Sequence, residues 1–376
     1  MLDAETIEIA KRNGKLILQK EEIDYWRFRE SMGKIPRGTV VIGERVIYGF
    51  PHIKRIFTLE KGIARNMTED EFYIEEKIDG FNVRVAKLEN KLFAFSRGGF
   101  VDPFVTEKVR EMKLEKFFSD YPGHVLCGEM IGKTPYTREK FEPELFVFDI
   151  QTTDGEYVPC KERYAILKKY RITSIPSFGR FTKHEMKKVK AIALKLMKGK
   201  KEGMVIKGAG RSGINYREAI EGNARDICPT GQLNCNRCKY VNPFADIHDI
   251  SGNSRLMFDM PSGFFVQRVL RSAIFIKDFG LDQKKYAAEL GNAFYKQLIE
   301  TLKQVDGKTE VNEEFEISIK DPSIWEKIVK HMGREIKLEK ISENKTKGKN
   351  TIKFRKIYRK TNQKFREFLS GKGIED

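Results

Sequence analysis

The segment FYIEEKIDGFNVRV, residues 72–85, has a lysine inside the apolar pattern of a buried strand. Lys77 stands between Ile74 and Ile78, and the pair Asp79-Gly80 that follows has the composition of a tight turn. An alternating apolar pattern resumes beyond this turn and predicts a second strand. An ammonium group at this point is either a solvated strand residue or a nucleophile held at the end of a strand.

The segments that follow predict a region made mostly of strands, up to about residue 150. The predicted strands are 72–76, 81–88, 91–96, 124–131 and 144–150, with turns at Asp79-Gly80, Glu89-Asn90 and Gly98-Gly99. The segment KHEMKKVKAIALKLMKGK, residues 183–200, is amphipathic, because apolar residues line one face and lysines line the other, and it predicts a helix that ends at Gly199. The strand EGMVIKG, residues 202–208, follows.

The last third of the chain has a different pattern. Long apolar stripes at helical spacing dominate residues 264–305, and strands are predicted at 315–319 and 351–358. We interpret SENKTKGKN, residues 342–350, as a basic turn or loop. In the last strand Lys353 and Arg355 share one side, which predicts either the wall of a cationic groove or an ordinary solvated face.

The composition indicates a polyanionic partner. The 376 residues suffice for two or three domains. The 71 lysines and arginines exceed the 54 aspartates and glutamates and give a formal net charge of +17. Such a surplus favours nucleic acid, since neutralising phosphates releases counterions whatever the sequence. A basic protein without such a partner is the alternative interpretation.

The hydropathy pattern predicts no membrane partner. No run of about 18 apolar residues occurs, so we predict no membrane-spanning helix. The N-terminal segment MLDAETIEIAKRNGK lacks the apolar core of a signal peptide, and we therefore expect a cytoplasmic protein.

Three of the five cysteines lie close together in the sequence. Cys228, Cys235 and Cys238 have a C-x6-C-x2-C spacing, whereas tetrahedral zinc takes four ligands. A fourth ligand would have to come from a distant residue such as His248 or Cys160. Free thiols are the favoured interpretation, and a zinc site is the alternative.

Several residues whose side chains could bind a nucleotide or take part in catalysis follow Lys77 in order. Arg97 ends one predicted strand, Glu129 lies late in an apolar strand, and Phe148 ends another where an aromatic ring can stack on a base. Glu202 and Lys207 stand at opposite ends of one short strand, and Lys239 lies on another. Chance explains each of these residues singly, but it does not explain all of them in this order.

This ordered set resembles the covalent nucleotidyltransferase superfamily of ATP-dependent DNA and RNA ligases and mRNA capping enzymes. Lys77 matches the nucleophile of the K-x-D-G motif, and Arg97 matches the second motif. Glu202 and Lys207 fit the E-G-x-V-x-K motif, and Lys239 fits the last motif. The family joins these last two motifs by a short hairpin, whereas residues 209–238 intervene here.

The resemblance implies a role for each of these residues. Lys77 becomes adenylated, Lys207 and Lys239 hold the α-phosphate of ATP, and Glu202 holds Mg²⁺ through water, with Mn²⁺ as a substitute. Glu129 binds the ribose hydroxyls, Phe148 stacks on the purine, and Arg97 binds the ribose or the RNA 5′-phosphate. Asn82 orients metal-bound water or the RNA end. The backbone or a glutamate at Glu75 and Glu76 meets the adenine edge, and we expect Glu75 to point outward or to bind another group.

The form KIDGFN, with Asn82 five residues after the lysine, resembles the RNA-ligase branch. The whole chain is similar to archaeal ATP-dependent RNA ligases that work as homodimers. This implies an α+β fold with a nucleotidyltransferase core of two antiparallel sheets and flanking helices, a helical dimerisation domain and a small α/β C-terminal domain. The expected limits are 1–65 for an N-terminal module, 66–250 for the core, 251–305 for the helical domain and 306–376 for the last domain.

The implied activity joins the 5′-phosphate and 3′-hydroxyl of RNA ends through lysyl-AMP and RNA-adenylate, with circularisation of one strand as a special case. A DNA ligase or a capping guanylyltransferase of the same superfamily is the first alternative. A basic RNA-binding protein without catalysis is the second, in which these lysines only pair with phosphates.

Overall fold

The computed structural model describes residues 2–33, 35–51, 53–137, 139–209, 237–241, 262–307, 310–333, 336–346 and 348–372. The chain forms two compact units whose segments alternate along the sequence. The first comprises Met1–Lys54, Ala64–Lys183 and Val205–Lys239, and the second comprises Arg55–Ile63, His184–Met204 and Tyr240–Asp376. The domain limits given above stay a prediction.

The first unit begins with a small antiparallel sheet in the order β1-β2-β3-β4. Its elements are α1 (Ala4–Arg12), β1 (Leu16–Lys20), β2 (Asp24–Phe28), β3 (Val40–Ile42) and β4 (Arg45–Ile47). The side chain of Asp3 caps α1 by accepting a hydrogen bond of 2.6 Å from the backbone N–H of Thr6. The short strand β5 (Lys54–Ile56) and helix α2 (Leu59–Asn66) follow.

A second antiparallel sheet has the order β10-β9-β7-β8. Its strands and the helices between them are β7 (Phe81–Leu88), β8 (Lys91–Ser96), α3 (Pro103–Glu111), α4 (Glu115–Asp120), β9 (Val125–Ile131) and β10 (Glu144–Gln151). Glu89 and Asn90 both have positive φ, as the predicted two-residue hairpin requires. Tyr25 and Val40 share one buried core with Phe93, so the N-terminal sheet packs on this one.

The third sheet includes strands in the order β11-β6-β12-β13. These are β6 (Glu71–Lys77), β11 (Ser177–Thr182), β12 (Gly203–Gly208) and β13 (Arg237–Val241), and helix α5 (Cys160–Tyr170) precedes β11. Because β6 and β7 belong to different sheets, the Asp79-Gly80 turn carries the chain from one sheet to the next. A Cβ atom at Gly80 would lie 2.4 Å from Cγ2 of Ile131 and 3.0 Å from the carbonyl of Met130. This close approach explains the glycine.

The second unit contains the remaining helices and a C-terminal sheet in the order β14-β16-β15. Its elements are α6 (Met186–Lys198), α7 (Ser262–Phe279), α8 (Gln283–Gly307), β14 (Asn312–Ile319), α9 (Ser323–Met332), β15 (Ile336–Thr346), β16 (Lys349–Tyr358) and α10 (Arg359–Leu369). Trp325 of α9 packs edge-on against Phe354 of β16, with ring centroids 5.1 Å apart. The α+β class predicted from the sequence is confirmed.

The prediction of a basic loop at residues 342–350 is wrong. Most of this segment belongs to the β15–β16 hairpin, in which Thr346 pairs with Lys349. The two strands pair in antiparallel orientation over a long stretch, and an antiparallel sheet tolerates polar residues on the face that meets solvent. Across the sheet Lys353 lies 3.8 Å from Glu316, and Arg355 lies 2.9 Å from Glu314. These ion pairs favour the solvated face over the cationic groove.

None of the described helices is both long enough and apolar enough to cross a membrane.

Candidate active site

A cleft of about 630 Å³, counting its open mouth, lies between the second and third sheets of the first unit. Strands β6, β12 and β13 form one side, and β7, β9 and β10 contribute to the other. The residues predicted from the sequence that line it are Glu75, Glu76, Lys77, Asn82, Arg97, Glu129, Phe148, Lys207 and Lys239.

Lys77 is the last residue of β6, at the junction between the two sheets. It is half-buried, Ile74 of the same strand is fully buried, and Ile78 is half-buried beside it. The strand ends here because the next residues turn towards β7. The amine is therefore placed inside the cleft by a rigid element.

Glu75, two residues before Lys77, belongs to a buried cluster of charges. Its carboxylate pairs with Lys207 at 2.7 Å and with Arg163 of α5. The expectation that Glu75 points outward is wrong, since only 1% of its surface is exposed. The other expectation, that it binds another group, is confirmed by these two cations.

Asp149, directly after Phe148, is the second carboxylate of this cluster. It lies 3.3 Å from Lys207 and 3.3 Å from Arg163, and Arg237 binds both of its oxygens, one of them at 3.2 Å. We call these five side chains the buried charge cluster: Glu75, Asp149, Arg163, Lys207 and Arg237. Its three cations and two carboxylates leave one surplus positive charge.

The cations hold both carboxylates in the ionised form. Burial by itself raises the pKa of Glu75, but Lys207 and Arg163 outweigh burial and the pKa lies below its ordinary value. Burial likewise raises the pKa of Asp149, and Arg237, Lys207 and Arg163 more than offset it. The pKa of Arg163 is raised, because the two carboxylates outweigh the cost of burying its charge.

Phe148 provides an aromatic wall of the cleft. Its side chain is half-buried, and the ring of Phe50 packs edge-on against it with centroids 5.0 Å apart. The backbone carbonyl of Phe148 accepts hydrogen bonds from Lys207, at 2.7 Å, and from Arg163. Phe50 thus supports the ring, the two cations hold the backbone of Phe148, and an aromatic face suits a purine.

A polar end of the cleft is formed by Asn82, Glu129 and Arg97. Asn82 and Glu129 are opposite one another across β7 and β9, and the Asn82 amide donates to the Glu129 carboxylate at 3.3 Å. Burial lowers the pKa of Arg97, Glu129 opposes this shift, and nearby Arg37 adds to it. A carboxylate, an amide and a guanidinium together suit sugar hydroxyls and phosphate oxygens.

The metal ligands predicted from the sequence stay predictions. Glu202 directly precedes β12. Cys228, Cys235 and the side chain of Cys238 lie outside the described residues. Cys160 is a buried free thiol, and no group of three metal-ligating side chains occurs among the described residues.

The sequence analysis missed Arg163, Arg237 and the role of Asp149. Arg237 stands two residues before Lys239 on one strand, so the alternation of strand side chains places both on one face and was an available signal. Asp149 directly follows Phe148. Arg163 lies 88 residues from Glu75, and no local pattern connects them.

Comparison with protein families agrees with the site. Residues 70–220, which include Lys77, Phe148 and Lys207, match the family model described as RNA ligase. This part of the chain therefore resembles RNA ligases. Residues 253–372 match a second model, described as the C-terminal region of the ligase Pab1020.

Individual proteins match this chain over nearly its whole length. The uncharacterized protein MJ0414 of Methanocaldococcus jannaschii is 28% identical and covers 97% of this chain and 93% of its own. An archaeal ATP-dependent RNA ligase superposes with a TM-score of 0.82 at 26% identity, over 100% of this chain and 97% of that one. A protein of Aquifex aeolicus provisionally described as an ATP-dependent DNA ligase has a TM-score of 0.83 at 26% identity, over 99% and 100% of the two chains. The nucleotidyltransferase fold predicted from the sequence is confirmed.

Proposed function

We propose that this protein uses ATP to join a 5′-phosphate to a 3′-hydroxyl of RNA through two adenylated intermediates. The observation that carries the proposal is the position of Lys77, at a strand end in a cleft that also gathers Phe148, Glu129 and Lys239. The archaeal ATP-dependent RNA ligase with the same fold supports ATP and RNA as substrates.

In the first step the neutral amine of Lys77 attacks the α-phosphorus of ATP. A P–N bond forms, the P–O bond to pyrophosphate breaks, and the amine loses its proton, which leaves lysyl-AMP. The purine stacks on Phe148, Glu129 binds the ribose hydroxyls, and Lys207 and Lys239 balance the charge on the phosphate. Dividing the reaction in this way replaces one difficult displacement by easier ones.

In the second step an oxygen of the RNA 5′-phosphate attacks the adenylate phosphorus. The P–N bond breaks and Lys77 takes up a proton. In the third step the RNA 3′-hydroxyl attacks the activated 5′-phosphorus and expels AMP, its proton being lost to solvent. Where both ends belong to one strand, the product is a circle.

A divalent cation is the cofactor that this chemistry requires, and Mg²⁺ is the one we propose. The buried side-chain oxygen of Asn82 accepts no hydrogen bond from the described residues, and an amide oxygen suits the water shell of Mg²⁺. Asn82 would help to hold the hydrated ion, and the part of Glu202 stays a prediction from the sequence. When bound, it supplies positive charge to the phosphates of ATP.

We also propose that the enzyme works as a homodimer in the cytoplasm, the compartment that supplies ATP and RNA. Tyr295, Leu298 and Leu302 of α8 are 65%, 54% and 48% exposed and recur at helical spacing on one face. A second copy of the chain would cover this apolar face. Light scattering of the wild type and of Leu298→Glu measures the mass; a monomeric wild type would contradict the proposal.

A DNA ligase is the alternative with a specific observation in its favour, because the Aquifex aeolicus relative is provisionally described as one. A capping enzyme, which uses GTP, is the other member of the superfamily to exclude. Nicked RNA and DNA of one sequence, each incubated with ATP or GTP, separate these three activities by product.

The test of the proposed function uses Lys77→Ala and two RNA substrates. With a plain 5′-phosphate and ATP the variant should form no product, because step one is blocked. With an RNA whose 5′ end is already adenylated it should still seal without ATP, since step three does not use the amine. Lys113→Ala, an exposed lysine outside the cleft, is the control. Sealing of the plain substrate by Lys77→Ala would overturn the mechanism.

A further inference from the structure

Helix α6 of the second unit has a strongly basic outer surface. Met186, Val189, Ala193 and Leu196 are its buried residues. At 3.6 residues per turn the lysines at positions 187, 188, 195 and 198 fall within an arc of about 100° on the opposite side. All four are exposed, and the helix contains no acidic residue. We call Lys187, Lys188, Lys195 and Lys198 the lysine face.

The lysine face opposes the stability of its own helix. Lys187 and Lys188 lie in the first turn, where the helix dipole is positive and acidic side chains are favoured. Lys195 and Lys198 are like charges three residues apart, and they repel one another. Glu185 pairs with Lys188 at 2.7 Å, but no ion pair of Lys187, Lys195 or Lys198 occurs among the described residues. Residues that destabilise their own helix without forming compensating contacts are typical of a functional surface.

Lys190 shows what a structural lysine on this helix looks like. It lies on the inner side, donates to the backbone carbonyl of Asp278 at 2.9 Å and lies 3.8 Å from the Asp278 carboxylate. Its amine also lies 5.6 Å from the centre of the Phe279 ring. The same helix thus uses one lysine for packing and directs four others to solvent.

We propose that the lysine face binds the phosphate backbone of the RNA substrate. This inference rests on the proposed function and names a surface for its substrate. Charge complementarity carries it: the face is uniformly positive, the chain has a net charge of +17, and each nucleotide brings one phosphate. Lysines contact phosphates as point charges, so the binding is independent of base sequence. The exposed Lys200 and Lys201 extend the positive surface beyond the helix.

The test variant is the triple substitution Lys187→Gln, Lys195→Gln and Lys198→Gln, and the probe is a single-stranded RNA without ATP. We expect roughly a hundredfold weaker binding at 0.1 M salt, if binding at 1 M salt is unchanged. The slope of log K against log salt should fall by about 2, since each lost phosphate contact removes about 0.7. A DNA strand of the same sequence should lose affinity equally. The control neutralises three exposed lysines elsewhere, Lys113, Lys116 and Lys168, and should change neither quantity.

A second variant separates charge from folding. Replacing the same three lysines by arginine keeps the charge, so binding and salt slope should remain those of the wild type. Loss of binding in the arginine variant, or wild-type binding in the glutamine variant, would overturn the inference. Adenylation of Lys77 should be normal in both variants. If neither the wild type nor any variant is adenylated, but the glutamine variant still binds RNA more weakly than the wild type, the proposed function fails. The proposal that the lysine face binds RNA is then still supported.

Discussion

At the scale of the residue, the lysines of the cleft differ in their surroundings. Lys77 is half-buried at a strand end, whereas Lys207 is 1% exposed and surrounded by Glu75, Asp149 and the carbonyl of Phe148. A bound α-phosphate would compete with these carboxylates for the Lys207 ammonium. Arg163 and Arg237 would then keep both carboxylates paired, because together they contact both.

The buried and the surface ion pairs of β6 should differ in their contribution to stability. Glu75→Gln removes one carboxylate from the buried charge cluster and leaves two surplus charges, so the free energy of unfolding should fall by about 3 kcal/mol. Glu71→Gln removes the partner of Arg180, a pair that is about half exposed, and should cost under about 1 kcal/mol. Urea denaturation measures both. Equal losses of unfolding free energy in the two variants would contradict the argument that the buried ion pair contributes more than the exposed one.

Nine of the ten residues predicted for the nucleotide site and its chemistry line one cleft, because a recurring order of motifs can be recognised from residue types alone. The partners of Glu75 could not be predicted in the same way. Arg163 reaches it from a helix 88 residues away, and Phe50 reaches Phe148 from the N-terminal part of the chain. Such contacts depend on tertiary packing, which leaves no local pattern.

At the scale of the element, the turn after β6 determines how the cleft is built. The strand carrying Lys77 and the strand carrying Asn82 belong to different sheets, and only three residues separate β6 from β7. The turn must therefore pass close to β9, where Ile131 and Met130 leave no room for a side chain at position 80.

Gly80→Ala should disturb this junction. The added methyl group would overlap Ile131, and the forced shift of the turn should cost about 1–3 kcal/mol of stability and slow the adenylation of Lys77. Gly291→Ala in α8 is the matched control, because that position has open space and alanine favours a helix by about 0.5–1 kcal/mol. Thermal unfolding and the initial adenylation rate report the two effects. A Gly80→Ala protein as stable and active as wild type would refute the steric argument.

Elements with clear periodicity were predictable, and those with polar composition were not. Strand 81–88 agrees with its predicted limits, and the helix predicted within residues 183–200 is found at Met186–Lys198, because apolar residues recur at the period of each structure. The hairpin at 342–350 was missed because its strands are polar on a solvated face. Its pairing with β16 depends on register, which composition does not encode.

At the scale of the whole molecule, the buried charge cluster connects distant parts of the first unit. Its members come from β6, β10, α5, β12 and β13, and therefore from both sheets that flank the cleft. The sequence predicted two sheets around a nucleotide site. It did not predict that an internal set of ion pairs joins them.

Acid should destabilise the protein through this cluster. The folded-state pKa values of Glu75 and Asp149 lie below their ordinary values of 4.5 and 3.8, so their contribution is present above those values. It is lost as pH falls through the lowered folded-state values and the carboxylates take up protons. Urea denaturation between pH 7 and pH 3 should show a falling free energy of unfolding, and Glu75→Gln should show a shallower fall. Parallel curves for the two proteins would exclude Glu75 as a source of the destabilisation by acid.

The central claim is that Lys77 accepts AMP from ATP. The most direct measurement is the intact mass of the purified protein after incubation with ATP and Mg²⁺, followed by peptide mapping. We predict an increase by one adenylate, located on the peptide that contains Lys77, absent with GTP and absent in Lys77→Ala. A folded wild-type protein that gains no adenylate, and that carries none as purified, would contradict the claim.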